Sequence, residues 1–158
     1  MQMKVSELLK AEFIVPELKG ETKEDVINEL IDLFNNDPRV EDIEKVKSAV
    51  LDREKVMSTG VGKGFAIPHG KTNAVKEIIG AFGKVKNGIE YDALDGNPVQ
   101  LIFLLVGKDN LISTHIKLLS RISRLMNKDD FRHRLTEANS ADEIVKLFSE
   151  EEEHFLEL

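Results

Sequence analysis

The sequence predicts an α/β fold in which a β-sheet lies between helices packed on both of its faces. Three observations predict it. The first third of the chain has apolar residues at helical spacing, the middle has continuous apolar runs separated by turn residues, and the last third is again helical in pattern. The 158 residues, of which 41% are hydrophobic and 32% charged, are predicted to form a single domain over residues 1–158.

The N-terminal third is predicted to contain two helices after an edge segment. Residues 5–15, VSELLKAEFIV, are expected to form a short helix or an edge strand. Thr22 and Asp25 form a capping box, which starts the first helix. The second helix follows a turn at residues 37–38 and runs into residues 53–55. Its apolar positions are Ile43, Val46, Ala49 and Val50, and those of the first helix are Val26, Ile27, Leu30, Ile31 and Phe34.

The middle third is predicted to supply the sheet. Residues 64–69, GFAIPH, and residues 77–85, EIIGAFGKV, are each expected to form a buried strand. Residues 88–98 are rich in turn-forming residues. Residues 99–106, VQLIFLLV, are apolar throughout, as is typical of a central strand covered on both faces.

The last third is predicted to form three helices and an acidic tail at about residues 150–158. The first helix would bury a face formed by Ile112, Ile116, Leu119, Ile122 and Met126. The second covers residues 129–135, and the third follows a capping box formed by Ser140 and Glu143. The first of these helices also carries a basic stripe, which is either a solvated face or a contact surface for an acidic partner. That stripe consists of Lys117, Arg121, Arg124 and Lys128.

Composition excludes several classes of function. The chain has no cysteine, so disulfides, zinc–thiolate sites and thiol catalysis are excluded. Its net charge of −7 argues against nucleic-acid binding, which depends on Lys and Arg. The N-terminus has no signal-peptide core, and the longest apolar run is far below the roughly 20 residues that span a bilayer. We therefore expect a cytoplasmic protein with no direct membrane insertion.

Residues 58–71, STGVGKGFAIPHGK, present one histidine at the end of a predicted strand. Pro68 fixes its own φ and restricts Ile67, so His69 is held in place. Gly70 would let another molecule approach closely, and the three preceding glycines permit tight turns. The pattern fits a reactive imidazole or a structural turn histidine.

The remaining histidines differ in their expected surroundings. His133 and His154 lie among charged residues and are expected to be solvated. His115 begins the helix after the long apolar strand, where free N–H groups and the positive end of the dipole favour an anion and a neutral imidazole. The alternative is a helix-start residue satisfied by local hydrogen bonds.

Residues 54–70, EKVMSTGVGKGFAIPHG, resemble the signature of enzyme IIA of the fructose/mannitol type, from the bacterial phosphoenolpyruvate-dependent sugar phosphotransferase system. The segment THIKLLSRIS at 114–123 resembles the part of that family that supplies a second histidine, and Arg53 stands where the family has an arginine. Phe65 replaces the family's usual aliphatic residue. The residues that match the signature are Glu54, Val61, Gly62, Ala66, Ile67, Pro68, His69 and Gly70.

The resemblance implies one type-2 IIA domain with a five-stranded mixed sheet between helices. It implies that His69 accepts a phosphoryl group from the carrier HPr and passes it to a cysteine of a IIB component. His115 would hydrogen-bond the phosphoryl oxygens, and Arg53 would help hold their charge. Phosphoryl transfer depends mainly on positioning and charge stabilisation, so no metal or cofactor is expected. The other residues expected to line the phosphate site are Thr59, Gly62, Gly70 and Ser113.

Other classes of function fit the sequence less well. A P-loop requires Ser or Thr after Gly-Lys, but Lys63 is followed by Gly64. The sequence also lacks the G-x-G-x-x-G, H-E-x-x-H and G-x-S-x-G patterns of dinucleotide-binding proteins, zinc hydrolases and serine hydrolases. The open alternative is a nitrogen-type IIA protein, which has the same histidine motif and regulates other proteins through phosphorylation-dependent binding.

Overall fold

A computed structural model describes residues 4–156 of the chain. Two turns of 3₁₀ helix, Ala11–Phe13 and Asp32–Phe34, accompany the regular elements. The helices are α1 (Val5–Leu8), α2 (Lys23–Ile31), α3 (Ile43–Val56), α4 (Ile112–Met126), α5 (Asp129–Glu137) and α6 (Ala141–Leu156). The strands are β1 (Ile14–Val15), β2 (Gly60–Gly62), β3 (Phe65–Ala66), β4 (His69–Lys71), β5 (Ile79–Ile89) and β6 (Val99–Gly107).

The strands form one mixed sheet in the order β1-β5-β6-β3-β2, with β4 also paired to β6. β5 and β6 are antiparallel, whereas β3 and β4 both run parallel to β6. Phe65 pairs with Leu101 and His69 with Leu105, so β3 and β4 keep the same register on β6. The interruption between them contains Pro68, which has no N–H to donate to the sheet. Counted as one interrupted strand, they give the five strands that were predicted.

The core lies in two layers, one on each face of the sheet. On one face, α2 and α3 pack on Ile102, Leu104 and Val106 of β6. On the other face, α1, α4, α5 and α6 pack on Leu101, Phe103 and Leu105 of the same strand. All of these side chains are at most 2% exposed, because successive residues of a strand face opposite sides. The prediction of a sheet with helices on both faces is confirmed.

The predicted capping boxes are present at the starts of α2 and α6. The Asp25 N–H donates to Thr22 Oγ1 at 3.1 Å, and the Glu143 N–H donates to Ser140 Oγ at 3.1 Å. The Glu143 carboxylate also accepts a hydrogen bond at 3.1 Å from the N–H of Asn139, the residue before the N-cap. These side chains satisfy backbone N–H groups that have no partner within the helix.

The prediction of which face of α4 is buried is wrong for the first turns of the helix. Ile112 and Ile116 are 51% and 59% exposed, whereas His115 and Leu118 are buried. Both sets recur at helical spacing, so the sequence alone did not distinguish them. The helix turns the side that carries His115 and Leu118 toward the sheet, and this places Ile112 and Ile116 in solvent.

The predicted acidic tail is helical as far as it is described, and residues 157–158 lie outside the described residues. Glu151 accepts hydrogen bonds from Lys128 and Arg134 at 2.8 and 2.9 Å. Arg121 lies 3.8 Å from Glu152. Part of the basic stripe on α4 therefore contacts acidic residues of α6 within the same chain.

Glu152 is 1% exposed and joins the two ends of the described chain. Its carboxylate accepts hydrogen bonds from the N–H groups of Val5 and Ser6 at 2.6 and 2.9 Å, and from Ser6 Oγ at 2.9 Å. These bonds fix the start of α1 against α6. A charged residue in a predicted acidic tail is thus part of the packed structure.

Replacement of Glu152 with alanine is expected to lower the free energy of unfolding by about 2–4 kcal/mol, because buried donors left without an acceptor are costly. Urea unfolding followed by circular dichroism measures the effect. The matched control is Glu153→Ala, since Glu153 is exposed and its loss should change stability by at most about 0.5 kcal/mol. Equal effects of the two substitutions would contradict the proposed role of Glu152.

Candidate functional site

Two histidines that are 46 positions apart in the sequence meet at one end of the sheet. His69 is the first residue of β4 and pairs with Leu105 of β6, and His115 lies in the first turn of α4. The ring centroids are 5.8 Å apart, and the ring planes are tilted by 54°. The structure therefore brings together the two histidines that the sequence analysis selected.

His69 is half-buried, and its ring is oriented by the backbone. Its Nδ1 lies 2.8 Å from the Ile67 carbonyl oxygen. Because a carbonyl can only accept, Nδ1 carries the hydrogen, and the lone pair of the neutral ring is on Nε2. Burial lowers the pKa of His69; the Ile67 hydrogen bond opposes this change, and the charge of Arg53 adds to it. The ring is therefore neutral near pH 7, with Nε2 as its nucleophilic atom.

His115 is only 2% exposed, yet neither ring nitrogen has a hydrogen-bond partner among residues 4–156. Burial, with smaller contributions from His69 and Lys71, lowers the pKa of His115 to about 4. Buried polar groups in proteins nearly always have a partner. The ring is therefore neutral, and the hydrogen-bonding capacity of both its nitrogens is unused within the described residues.

Gly107, at the end of β6, makes room for His115. A Cβ atom at this position would lie 2.5 Å from His115 Nδ1, closer than any real contact allows. Nδ1 thus faces the backbone of β6. The sequence analysis did not identify Gly107, and its only sequence signal is that it ends the apolar run of residues 99–106.

The lowered pKa of His115 predicts a specific pH dependence of stability. In the unfolded chain the ring binds a proton near pH 6.5, but in the folded protein it does so only near pH 4. Because the unfolded state binds more protons between these values, the folded state is destabilised as pH falls from 6.5 to 4, by up to about 3 kcal/mol. Urea unfolding of wild type and His115→Gln across this range tests it. Parallel pH curves for the two proteins would contradict the prediction.

Two cations influence the histidine pair. Arg53, near the end of α3, is partly exposed and donates from Nη1 to the Met57 carbonyl at 2.8 Å. Its charge lowers the pKa of His69, and Lys71 lowers the pKa of both histidines. Arg53 was predicted to belong to the site, but Lys71 was not. The Glu54 carboxylate has a smaller, opposite effect on His69 than Arg53, so the two cations together favour an anion at the site.

Thr59, which was predicted to line the site, is buried in a network centred on Glu54. Its N–H and Oγ1 donate to the Glu54 carboxylate at 2.8 and 2.5 Å. The Tyr91 hydroxyl donates to the same carboxylate at 3.2 Å, and Lys23 Nζ lies 3.2 Å from it. The network fixes the connection between α3 and β2, so the described contacts of Thr59 are structural.

Two glycines predicted to line the site have structural reasons to be glycine. Gly62 has φ +111° in the hairpin between β2 and β3, where a Cβ would lie 3.1 Å from Asp95 Oδ2. A Cβ on Gly70 would lie 3.1 Å from backbone atoms of Ala49 and Val50 in α3. The prediction that Gly70 admits an external molecule therefore needs correction, because the close neighbour is a helix of the same chain.

The start of α4 leaves backbone donors available beside His115. Leu111 occupies the N-cap position and makes no side-chain capping hydrogen bond. Ser113 lies in the same turn and is exposed. The N–H groups of a helix's first turn have no partners within the helix and favour a negative charge.

Exposed apolar side chains lie on the segments that carry Arg53 and His115. Met57 is 60% exposed beside Arg53, and Ile112 and Ile116 are exposed beside His115. Exposed large apolar side chains near a polar site are available for contact with another protein. The exposed large apolar residues are Val56, Met57, Val61, Leu94, Leu111, Ile112 and Ile116.

Two further properties concern the described residues only. Residues 4–156 contain no group of three or more histidine, aspartate or glutamate side chains that could hold a metal ion. No helix in that part of the chain is both long and apolar enough to cross a bilayer.

Comparison with known proteins identifies the family. The family model described as "Phosphoenolpyruvate-dependent sugar phosphotransferase system, EIIA 2" matches residues 7–151. The chain belongs to this family. Its resemblance to IIA proteins, inferred from residues 54–70 and 114–123, is thereby confirmed.

Two sequence relatives and one solved structure illustrate what this IIA chain is similar to. It is 37% identical over 148 residues to the fructose-specific EIIABC component of Bacillus subtilis, covering 94% of this chain but 23% of that protein. It is 36% identical over 146 residues to the fructose-specific EIIA component of Haloferax volcanii, covering 92% and 95% of the two chains. The crystal structure of nitrogen regulatory protein IIA-Ntr from Neisseria meningitidis superposes with a TM-score of 0.85 and 31% identity, covering 91% and 98%.

Proposed function

We propose that this IIA protein is a phosphoryl carrier of a sugar phosphotransferase system, with His69 as the residue that is transiently phosphorylated. The observation that carries the proposal is the histidine pair: a neutral His69 with its lone pair on Nε2, facing a buried His115 whose nitrogens lack partners. Family membership supports phosphotransfer as the type of reaction.

In the first step, Nε2 of His69 attacks the phosphorus of phosphorylated HPr. The bond between phosphorus and the donor nitrogen breaks as the new N–P bond forms, and the donor ring keeps that electron pair. The His69 ring becomes positively charged while Nδ1–H still donates to the Ile67 carbonyl. That hydrogen bond favours the charged ring, as its effect on the pKa of His69 indicates.

The surroundings stabilise the transferred group. His115 donates from Nε2–H to a phosphoryl oxygen, because Nδ1 faces Gly107. Arg53, Lys71 and the first turn of α4 balance the remaining negative charge. In the second step a IIB cysteine thiolate attacks phosphorus, and the N–P electron pair returns to His69 Nε2.

The partners are proposed from the surface and the relatives. Both HPr and IIB must bring a side chain to Nε2 of His69, and the exposed apolar residues beside Arg53 and His115 offer the contact surface. The B. subtilis relative is named as an EIIABC component, which supports a IIB partner for this chain.

A regulatory role is the second candidate. The similarity to the nitrogen regulatory protein of N. meningitidis, at 31% identity over nearly its whole length, favours it. In that role the same phosphorylation of His69 would change which protein binds the exposed apolar surface.

Reconstitution tests both candidates. Purified protein is incubated with phosphoenolpyruvate, enzyme I and HPr, and acid-labile phosphate is then measured before and after adding fructose- or mannitol-type IIB. We expect one phosphoryl group per chain and its rapid loss to IIB. Labelling without transfer to any IIB would favour the regulatory role, and absence of labelling would contradict both.

A further inference from the structure

We propose that Glu54 is a positioning residue for phosphoryl transfer, and that it acts on His69 through the backbone of Thr59 and Ile67. The inference rests on the proposed function, in which His69 accepts the phosphoryl group. Glu54 belongs to the signature segment of residues 54–70, yet neither transfer step uses it.

Three hydrogen bonds run in series from Glu54 to the ring of His69. The Thr59 N–H donates to the Glu54 carboxylate at 2.8 Å, and the Thr59 carbonyl accepts from the Ile67 N–H at 3.2 Å. The Ile67 carbonyl in turn accepts from His69 Nδ1–H at 2.8 Å. Thr59 precedes β2 and Ile67 follows β3, so the middle bond extends the antiparallel pairing of these two strands. Each bond fixes the residue that makes the next one.

The Glu54 end of this series is firmly held. Glu54 lies in the last turn of α3 and is only 6% exposed. Besides the Thr59 N–H, its carboxylate accepts from Thr59 Oγ1 at 2.5 Å and from the Tyr91 hydroxyl at 3.2 Å, and Lys23 Nζ lies 3.2 Å away. Hydrogen bonds to a carboxylate are stronger than those between neutral groups. A carboxylate fixed by so many donors can set the position of Thr59.

The charge of Glu54 also acts on the His69 ring. The other charged or titratable groups that act on this ring or face it are Arg53, Lys71 and His115. Arg53 and Lys71 lower the pKa of His69, whereas Glu54 raises it. Because the ring becomes positive when the N–P bond forms, the carboxylate stabilises the phosphorylated ring, and the two cations stabilise the phosphoryl oxygens. Loss of the Glu54 charge should therefore disfavour phosphorylated His69.

A second contact between β4 and α3 lies one residue beyond His69. A Cβ atom on Gly70 would lie 3.1 Å from backbone atoms of α3. This packing fixes where the strand lies, but it does not determine which ring nitrogen of His69 carries the hydrogen. The Ile67 carbonyl determines that, and it also orients the ring. Loss of Glu54 should therefore disturb the ring without displacing β4.

Glu54→Gln tests the proposal, with Asp92→Asn as the matched control. Asp92 is 78% exposed and lies 3.7 Å from Lys23, so its replacement removes a charge from the same cation. Imidazole ¹⁵N NMR of the unphosphorylated proteins reports on the His69 ring directly. We expect Glu54→Gln to have a lower His69 pKa and a mixture of Nδ1–H and Nε2–H rings, whereas wild type and Asp92→Asn keep the hydrogen on Nδ1. A wild-type ring in Glu54→Gln would overturn the proposal.

Phosphoryl acceptance from isolated phosphorylated HPr gives the second readout. Glu54→Gln should slow acceptance by about 10- to 100-fold and shift the equilibrium with phosphorylated His69 toward HPr. Asp92→Asn should match wild type in both. An altered ring with unchanged rate and equilibrium would overturn the role of Glu54 in transfer. Absence of labelling in wild type would contradict the proposed function, and the ring measurements would still decide whether Glu54 positions His69.

Amide hydrogen exchange of wild type keeps the test decisive if circular dichroism shows that Glu54→Gln folds poorly. The series requires that the N–H groups of Thr59 and Ile67 both exchange much more slowly than those of an unstructured peptide. Rapid exchange at either position, or a wild-type His69 with its hydrogen on Nε2, would overturn the proposal.

Discussion

Replacement of His69 with glutamine is expected to abolish phosphoryl acceptance, with a fall in rate of at least about 10³-fold, because the substitution removes the atom that forms the N–P bond. Glutamine has a similar size and can still hydrogen-bond the Ile67 carbonyl, so the half-buried position should stay folded. Single-turnover labelling by isolated phosphorylated HPr measures the rate. Circular dichroism checks the fold of the variant.

The matched control for that experiment is His133→Ala. His133 lies on α5 and its side chain is 72% exposed, so its loss should leave labelling unchanged. Normal labelling of the His69→Gln protein would show that another residue accepts the phosphoryl group.

Replacement of His115 with alanine is expected to slow both transfer steps about 10²-fold without abolishing phosphorylation. The ring forms no bond to phosphorus and supplies one hydrogen bond to a phosphoryl oxygen, and loss of one such donor typically costs about 10²–10³ in rate. Rapid-quench measurements of acceptance from HPr and of transfer to IIB test this expectation separately for each step.

A second substitution separates the chemical effect of His115 from a packing effect. His115→Gln fills more of the buried space and retains an N–H donor, so it should recover part of the lost rate. Complete loss of labelling in both variants would mean that His115, and not only His69, is needed for bond formation. Unchanged rates in His115→Ala would remove His115 from the transfer mechanism.

Local sequence predicted most of the fold. The capping boxes at Thr22 and Ser140 and the apolar runs of β5 and β6 gave elements close to those observed. The buried face of α4 was not predicted correctly, because two sets of apolar residues share its helical period and only packing on the sheet chooses between them. The contacts of Glu152 with α1 also depend on packing between the two ends of the described chain.

The sequence analysis selected His69 and His115 as site residues, but it did not predict how their surroundings position them. Residues 54–70 and 114–123 identified His69 and His115, and the fold places their rings 5.8 Å apart. The space that Gly107 leaves for His115 and the close packing of Gly70 on α3 depend on residues far away in the sequence. Tertiary contacts of this kind have no local sequence pattern that would predict them.

The most direct test of the proposed mechanism is ¹H–¹⁵N NMR of the histidine rings in the phosphorylated protein, combined with ³¹P NMR. We predict phosphorus bonded to Nε2 of His69, a retained hydrogen on Nδ1 and an unphosphorylated His115. Phosphorus on Nδ1 of His69 would contradict the orientation given by the Ile67 carbonyl. Phosphorus on His115 would contradict the assignment of the acceptor itself.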